Sequence, residues 1–504
     1  MFKPHERIKT MFDKIITSNE IKFNDLERKI YEFVCYLGRI IIKLIIEKQD
    51  QNIMKNRDKK KYRHKGYRET SINTVMGEIR YKRAIYEITE GNIKKTVYLL
   101  DEQLQIQEDG KVSSNLVEKV IEMVPITDSY RKTEKAIDET TNTTLSHEKI
   151  RQVVLNVGDK ITSKEKQEIK LLKKEQLIAG MKEITALFEE ADGIWINLQG
   201  KDRKERIEKN KEKAKQQEKE FNPKMKVKTE LKLHVIYEGW KKGDPRHSLV
   251  NKEYIAGIMK PKEMAALRDA RVYQKYDESK IKLRVVNGDG AKWTKGITSK
   301  DGIYQKDQFH IMQEIVRDVP KEYRNIISEL VKTKQFDRIP TAINELKYEL
   351  GGEYDAVKKL NRLQSYLSKD LARYQDLVEV PEAPKGIEYR NMGTQESQIF
   401  SKLKKRFCSG RKAFSIHGAN ALSKICVLSE KFKIDDLEKE IPIDTSVVDW
   451  INSIEKDIKK NKQHRANRKE TEDLPVKRGR IDSNVKILKE ITKIQDFTDL
   501  KYSF

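Results

Sequence analysis

Two apolar, β-rich runs that each carry a carboxylate at one end constrain this chain more than any other feature. Asp192 opens Gly193-Ile194-Trp195-Ile196-Asn197-Leu198, and Asp289 closes Ile281-Lys282-Leu283-Arg284-Val285-Val286-Asn287-Gly288 before Gly290-Ala291. Such runs predict strands, with both aspartates at strand termini. A third acidic context, Gly393-Thr394-Gln395-Glu396-Ser397-Gln398, begins a segment with helical spacing. Between them, residues 228–237 alternate as a strand does, Tyr254-Ile255-Ala256 is a third candidate strand, and a short one precedes Asp307. Residues 262–273 have helical spacing. Strands in succession, then strands alternating with helices, predict an α/β chain built on a mixed sheet.

At 504 residues the chain is too long for one ordinary core. Lys and Arg number 104 against 80 acids, a formal charge of +24, which favours a polyanionic partner such as nucleic acid over an acidic small substrate. With 80 acids, acidic triples arise by chance, so the local setting of each must carry the argument. No apolar run reaches the roughly eighteen residues of a membrane span, since Ile40 to Ile46 is broken by Lys43 and ends at Glu47. The beginning, Met1-Phe2-Lys3-Pro4-His5-Glu6, lacks the apolar core of a secretion signal. Cys35, Cys408 and Cys426 support neither a disulfide framework nor a zinc finger, which suits a reducing cytoplasm. No membrane partner is expected.

Residues 1–55 form an amphipathic helical region in which Leu26, Ile30, Phe33, Leu37, Ile41 and Leu44 share one face, expected to pack or dimerise. Residues 56–160 begin with the basic stretch Lys55 to Arg68, whose Lys59, Lys60, Lys61 and Arg63 either grip phosphates or form a solvated linker. Ser71 to Val75 and Ile79 to Tyr86 then flank Met76-Gly77-Glu78 as a hairpin. Two helical segments follow, from Ser129 and from Ser146, the latter a candidate N-cap. They read either as a helix-turn-helix presenting Arg131, Lys149 and Arg151, or as two packed helices joined by a polar loop. Mixed-sheet sequence occupies 185–310, with a solvated helical insertion at 201–219, and resumes at 391–435. An all-helical block separates the two parts at 311–390, with Ile326, Leu330, Leu346, Leu350, Leu360, Leu363, Leu367 and Leu371 as candidate core positions. Residues 436–504 read as a basic carboxy-terminal tail.

A magnesium-dependent nuclease needs only a few carboxylates converging on one edge of a rigid sheet, because Mg²⁺ takes oxygen ligands and keeps several waters. Two ions then sharpen the attacking oxygen and stabilise the leaving 3′-oxygen. Gly193, Gly288 and Gly290 would leave room for a phosphate backbone, or would simply make turns capped by the aspartates. Asp307 and His310, three apart at a helix start, either neighbour the active site or serve structure. Lys404, Lys405 and Arg406, with Arg411 and Lys412, contain no acid and either guide DNA or form a solvated helix face.

These motifs together carry a resemblance. Asp192 on a strand, Gly288-Asp289-Gly290-Ala291 with Trp293, Asp307-Gln308-Phe309-His310, a helical block and then Gly393-Thr394-Gln395-Glu396-Ser397-Gln398 resemble the DDE transposases of bacterial insertion sequences, in their Mutator-like branch. Tyr237-Glu238-Gly239-Trp240, the hairpin around Gly77 and the helical pair near Tyr130 extend it over most of residues 60–430. The resemblance implies an RNase H-like core with an all-α insertion, preceded by a mainly helical DNA-binding region with a β-hairpin. It also implies Asp192, Asp289 and Glu396 as ligands of two Mg²⁺ (or Mn²⁺) ions. Residues 1–160 would recognise element ends in double-stranded DNA, and residues 185–430 would cut and join them. The enzyme would be a homodimer or higher homo-oligomer at the bacterial nucleoid. The family's first motif carries more acidic residues after its aspartate than Gly193-Ile194-Trp195 does, which leaves Glu189 and Glu190 as nearby substitutes for Asp192. A catalytically inactive DNA-binding regulator derived from a transposase, and an RNase H-like nuclease that never joins DNA, are the competing expectations.

Overall fold

The computed structural model describes residues 22–90, 93–104, 106, 111–216, 227–351, 354–373, 390–428, 432–437 and 439–442. The chain divides into two units, Met1–Ile443 and Asp444–Phe504. The second, with residues 444–504 of the basic tail expected over 436–504, lies outside the described residues.

A 34-residue helix, Phe23–Asn56, lies on a three-stranded antiparallel sheet of β1 (Arg63–Thr74), β2 (Gly77–Glu90) and β3 (Ile93–Val97). Ile46 packs with Ile72, Ile79, Tyr81 and Leu100, and the Asp50 carboxylate accepts from the Ala84 amide at 2.9 Å. The face expected from Leu26 to Leu44 is only partly covered, with Leu26, Phe33 and Leu37 half-buried. Ile30, Ile41 and Leu44 are exposed, while Cys35, Ile46 and Asp50, about half a turn away, are buried. The helix has apolar residues on two sides, and periodicity cannot say which side meets the sheet. The hairpin is longer than the alternation implied, so Arg63 to Arg68 of the basic stretch lie in β1 rather than in a linker. Its turn is Val75-Met76, and Gly77 follows at φ +112°, where a Cβ would strike the Arg39 guanidinium.

Ser113, Ser129 and Ser146 cap the helices Ser114–Ile126, Tyr130–Thr140 and His147–Lys173, each side chain accepting a backbone N–H of the first turn. The third helix buries Ile150, Val153, Val154 and Val157 in the main core. Gly158 gives its neighbour, the helix Ile416–Cys426, close approach, since a Cβ there would overlap Ala421. The amino-terminal helices and the central sheet therefore share one apolar core.

That sheet has the order β6-β5-β4-β7-β8, with β9 also on β4. It comprises β4 (Ala186–Leu198), β5 (Lys228–Tyr237), β6 (Glu253–Gly257), β7 (Leu283–Gly288), β8 (Ile303–Lys306) and β9 (Ala413–Phe414). β4-β5-β6 pair antiparallel, while β7, β8 and β9 join in parallel, which makes the protein a mixed α/β fold. β4 is central because its side chains are buried on both faces, Leu187 and Ala191 on one and Phe188, Ile194 and Ile196 on the other. Gly200–Gln216 is a helix without a buried residue, as its charge-rich composition predicts.

The helical block encloses a core of its own from the helices Gln308–Asp318, Arg324–Lys332, Ile339–Glu349 and Tyr354–Tyr366. Leu346, Leu360, Leu363, Leu367 and Leu371 are buried there, and Leu330 and Leu350 pack against it. Ile326 is exposed and its neighbour Ile327 is buried, a one-residue phase error in the expected face. Residues 374–389 of the expected insertion lie outside the described residues. Among the described residues no helix is long and apolar enough to cross a membrane.

Candidate active site

Asp192 sits within β4, not at its end, because the strand starts six residues earlier at Ala186. Glu189 and Glu190 had hidden that start, since each is a fully buried charge in an otherwise apolar strand. Ala191 pairs with Gly288, the last residue of β7, so Asp192 and Asp289 stand side by side where these parallel strands diverge. Strands that part at their carboxyl ends leave a crevice, the usual place for a site in an open α/β sheet. Glu396 enters from the helix Gln395–Ile399.

Asp289 and Glu396 both act electrostatically on Asp192. Burial pushes the Asp192 carboxyl up to about 6; Asp289 and Glu396 add to the rise, while His310 and the Gly193 amide oppose it. The Gly193 N–H donates to Asp192 Oδ1 at 2.6 Å. Gly193 has no room for a side chain, since a Cβ would lie 2.7 Å from Glu230 Oε1.

Glu190 fixes Glu396 relative to Asp192. Its carboxylate accepts from the Tyr237 hydroxyl at 2.7 Å, the Thr394 hydroxyl at 2.9 Å and the Gln395 amide at 2.9 Å, with the Thr394 and Gly393 amides at 3.3 and 3.4 Å. The Gln395 side chain returns a bond to the Ala191 carbonyl at 2.5 Å. A buried carboxylate on strand β4 thus holds the helix start that carries Glu396. Burial drives the Glu190 carboxyl upward against the pull of these donors. Glu189 points to the opposite face, where Arg268 and Arg284 each meet it at 2.7 Å and His234 at 2.8 Å. Burial works against that charge, but Arg268, His234 and Arg284 outweigh it and hold the carboxyl well below its ordinary value. Both glutamates are engaged by protein partners.

Asp307 caps the helix Gln308–Asp318 by accepting from the His310 amide at 3.2 Å. The same Oδ2 stands 3.1 Å from His310 Nδ1, which leaves Nε2 4.0 Å from Asp192 Oδ2. Burial disfavours charge on His310, yet Asp307 and Asp192 prevail and raise its value. Asn287 donates to Asp307 Oδ1 at 2.9 Å and accepts from Gln305 at 3.0 Å. Sequence reasoning misses the roles of Asn287 and Gln305, and offers Glu190 only as a substitute for Asp192. Their signal was a polar residue at an inward position of an apolar strand, which marks a required hydrogen bond.

Asp289 Oδ1 accepts from the Ala291 amide at 2.9 Å and the Thr294 hydroxyl at 3.2 Å. Its carbonyl accepts from the Tyr366 hydroxyl at 2.9 Å, and Gly290, at φ +91°, lets the Tyr366 ring in where a Cβ would lie 2.6 Å away. Lys306 bonds the Tyr366 and Lys369 carbonyls, and Lys295 pairs with Asp370 at 2.8 Å. The helical block is therefore fastened to the loop that presents Asp289.

The expected basic residues separate into groups. Lys59, Lys60, Lys61, Arg63, Arg131, Lys405 and Arg411 are exposed, Lys149 is half-buried, and Arg151 is exposed but paired with Glu148 at 2.7 Å. Arg406 does not face a ligand. It is buried, donates to the Asp128 carbonyl at 2.6 Å and lies over the Tyr130 ring, so its role is to join helices. Lys412 bonds the Arg406 carbonyl at 3.1 Å and the Ser409 hydroxyl at 2.6 Å. Lys404 pairs with Glu396 at 2.6 Å.

Among the described residues no three His, Cys, Asp or Glu side chains close into a metal-binding group. The donor chemistry nonetheless suits a hard cation. Three carboxylates supply oxygen only, and Asp192 is a carboxylate destabilised by burial and like charge. Lys404 meets Glu396, and His310 stands beside Asp192.

The model of a family described as "Uncharacterised protein family (UPF0236)" matches residues 16–222 and 216–435. A UPF0236 protein of Caldanaerobacter subterraneus subsp. tengcongensis is 27% identical over 357 residues, covering 68% of this chain and 62% of that protein, so the match spans less than two thirds of the relative. The relative's name joins eleven locus designations.

Proposed function

The chain belongs to the UPF0236 family, and from that premise we propose that it is a DDE-type DNA transposase, which binds the ends of an insertion sequence and performs metal-dependent strand cleavage and strand transfer. One observation carries the proposal: Asp289, past the end of the parallel neighbour strand, and Glu396, at a helix start, both act electrostatically on Asp192 within the central strand. The sheet order supports an RNase H-like core, with three antiparallel strands followed by two parallel ones on the other side of β4. So does the helical block lying between Asp289 and Glu396. A relative whose name spans eleven loci is what a gene present in many copies would give, and mobility makes such copies.

Asp192, Asp289 and Glu396 would hold Mg²⁺ or Mn²⁺, two ions by analogy with such enzymes. When bound, the metal supplies activation of the attacking oxygen and charge stabilisation at the scissile phosphate. The chain's own groups prepare the site. β4 and β7 fix two carboxylates on a rigid frame, and Glu190 locks the third to the same frame. Asp307 orients His310 so that Nε2 faces Asp192, where it partly offsets the negative charge. Exposed Lys59, Lys60, Lys61, Arg63, Arg131, Lys405 and Arg411 supply phosphate contacts for double-stranded DNA. Such an enzyme would work at the bacterial nucleoid.

The test is nicking of a duplex taken from the DNA flanking the gene, with Mg²⁺ or Mn²⁺. Cleavage that is lost with EDTA and lost in Asp289→Ala, with DNA binding retained, is the expected result. Binding without any cleavage would leave the inactive regulator. Cleavage without joining of a supplied 3′-hydroxyl end would leave a hydrolytic nuclease.

A further inference from the structure

We propose that Glu230 and Trp293 are positioning residues: the hydrogen bond between them straps the loop that presents Asp289 to the strands beside Asp192 and sets the separation of the two carboxylates. The Trp293 indole N–H donates to Glu230 Oε1 at 2.9 Å. Glu230 lies on β5 and Trp293 on the short helix Lys292–Gly296 that follows β7, while β4 runs between β5 and β7. The bond therefore crosses the central strand, a span of roughly 10 Å at two strand spacings.

It crosses at a glycine. Trp195 pairs with Glu230 and Gly193 with Lys232, so all four positions share one face of the sheet. A Cβ on Gly193 would lie 2.7 Å from Glu230 Oε1, the oxygen that receives the indole N–H. The missing side chain lets the bond pass over β4. Lys232 steadies the same carboxylate from its other oxygen, with Nζ 3.1 Å from Oε2 and 5.3 Å from the centre of the Trp293 ring.

The strap acts where the ladder stops. β4 and β7 pair from Ala186 and Leu283 as far as Ala191 and Gly288, one residue short of Asp192 and Asp289, so the ladder leaves the separation of the two acids unset. A shift of Trp293 passes directly to Asp289, because the next residue, Thr294, donates its hydroxyl to Asp289 Oδ1 at 3.2 Å. On the other strand, the Gly193 N–H holds Asp192 Oδ1. Misplacing one reacting group by about 1 Å can cost about a hundredfold in rate. The Lys292–Gly296 turn has a second anchor, the Ile297 carbonyl accepting from Arg268 at 2.7 Å, and stays folded without the strap.

The inference rests on the carboxylates binding metal as proposed above. Calorimetry of Mn²⁺ binding to the full DNA-free chain tests it, with nicking and DNA affinity measured beside it. Trp293→Phe keeps the aromatic ring and every charge and removes the donor. It should bind Mn²⁺ about tenfold more weakly and nick more slowly, with the melting temperature and DNA affinity of the wild type. Gly193→Ala, which displaces the Glu230 carboxylate, should weaken binding alone and add little in the Trp293→Phe background. Glu230→Leu should lose as much, and Glu230→Gln, which keeps the acceptor, should recover most of that loss. Unchanged Mn²⁺ affinity in Trp293→Phe overturns the strap and leaves the transposase reading standing, as do fully additive losses or a Glu230→Gln as weak as Glu230→Leu. Metal binding that weakens in Trp293→Phe, in a chain whose wild type never nicks DNA, keeps the strap and removes the transposase. A wild type that binds no Mn²⁺ removes both.

Discussion

Lys404 Nζ lies 2.6 Å from Glu396 Oε1, although the two are eight residues apart along one continuous helical segment. In an unbroken α-helix that separation is about 12 Å along the axis and most of a quarter-turn around it. Here the π-helical turn Phe400–Lys404 falls between them and changes the rotation. The ammonium stands where the proposed site would place a divalent cation.

Lys404 and a metal therefore compete for Glu396. Lys404→Met should tighten Mn²⁺ binding on the order of three- to tenfold, the effect of removing one partly screened rival charge. Calorimetry on the DNA-free protein checks this, and unchanged or weaker binding would refute it. DNA affinity should fall in the same variant if the displaced lysine turns to a phosphate.

The Asp192 carboxyl predicts an unusual pH response. Its folded-state value of about 6 exceeds the ordinary 3.8, so the folded protein holds the proton more tightly and stability declines as pH rises from about 4 to 6. His310, raised above 6.5 in the folded state, adds stability below that value which is lost as pH rises through its folded one. Metal-free wild type should thus melt lower at pH 8 than at pH 5. Asp192→Asn should be more stable than wild type at pH 8, by about 1–2 kcal/mol, and the advantage should shrink at pH 5. Equal melting curves at both pH values would contradict the account.

Glu190→Gln replaces an acceptor of five bonds with a group whose amide must face donors. A loss of about 2–4 kcal/mol is expected. Because Thr394 and Gln395 would be released, nicking by the folded fraction should fall further than stability alone explains. Comparing activity at 15 °C with the folded fraction measured by circular dichroism separates the two effects.

Glu189 offers the contrast. Glu189→Gln breaks a buried network with Arg268, Arg284 and His234 and should cost about 3–5 kcal/mol. The soluble fraction that remains should bind Mn²⁺ as wild type does, since the carboxylate faces away from Asp192. A selective loss of metal affinity would place Glu189 in the site.

Local pattern carried a good part of this molecule. The hairpin around Gly77, the serine-capped helices, the strands leading to Asp289 and Asp307 and the leucines of the helical block follow from periodicity and capping, which neighbouring residues determine. Asp289 stood out because glycine flanks it where a strand ends. Other features depended on which surfaces meet. Glu189 and Glu190 looked like polar residues outside a strand until Arg268 and Tyr237 arrived from elsewhere in the chain to pair them. Arg406 looked like a DNA contact until Tyr130 and the Asp128 carbonyl enclosed it. The long first helix has two apolar sides, and only its docking on β2 decided which one stayed outward. Sequence by itself determined the elements and the kinds of charge they bear, because hydrophobic spacing acts over a few residues. Tertiary structure alone decided which carboxylates are neutralised and which are left facing one another, because that depends on partners about 80 to 200 residues away.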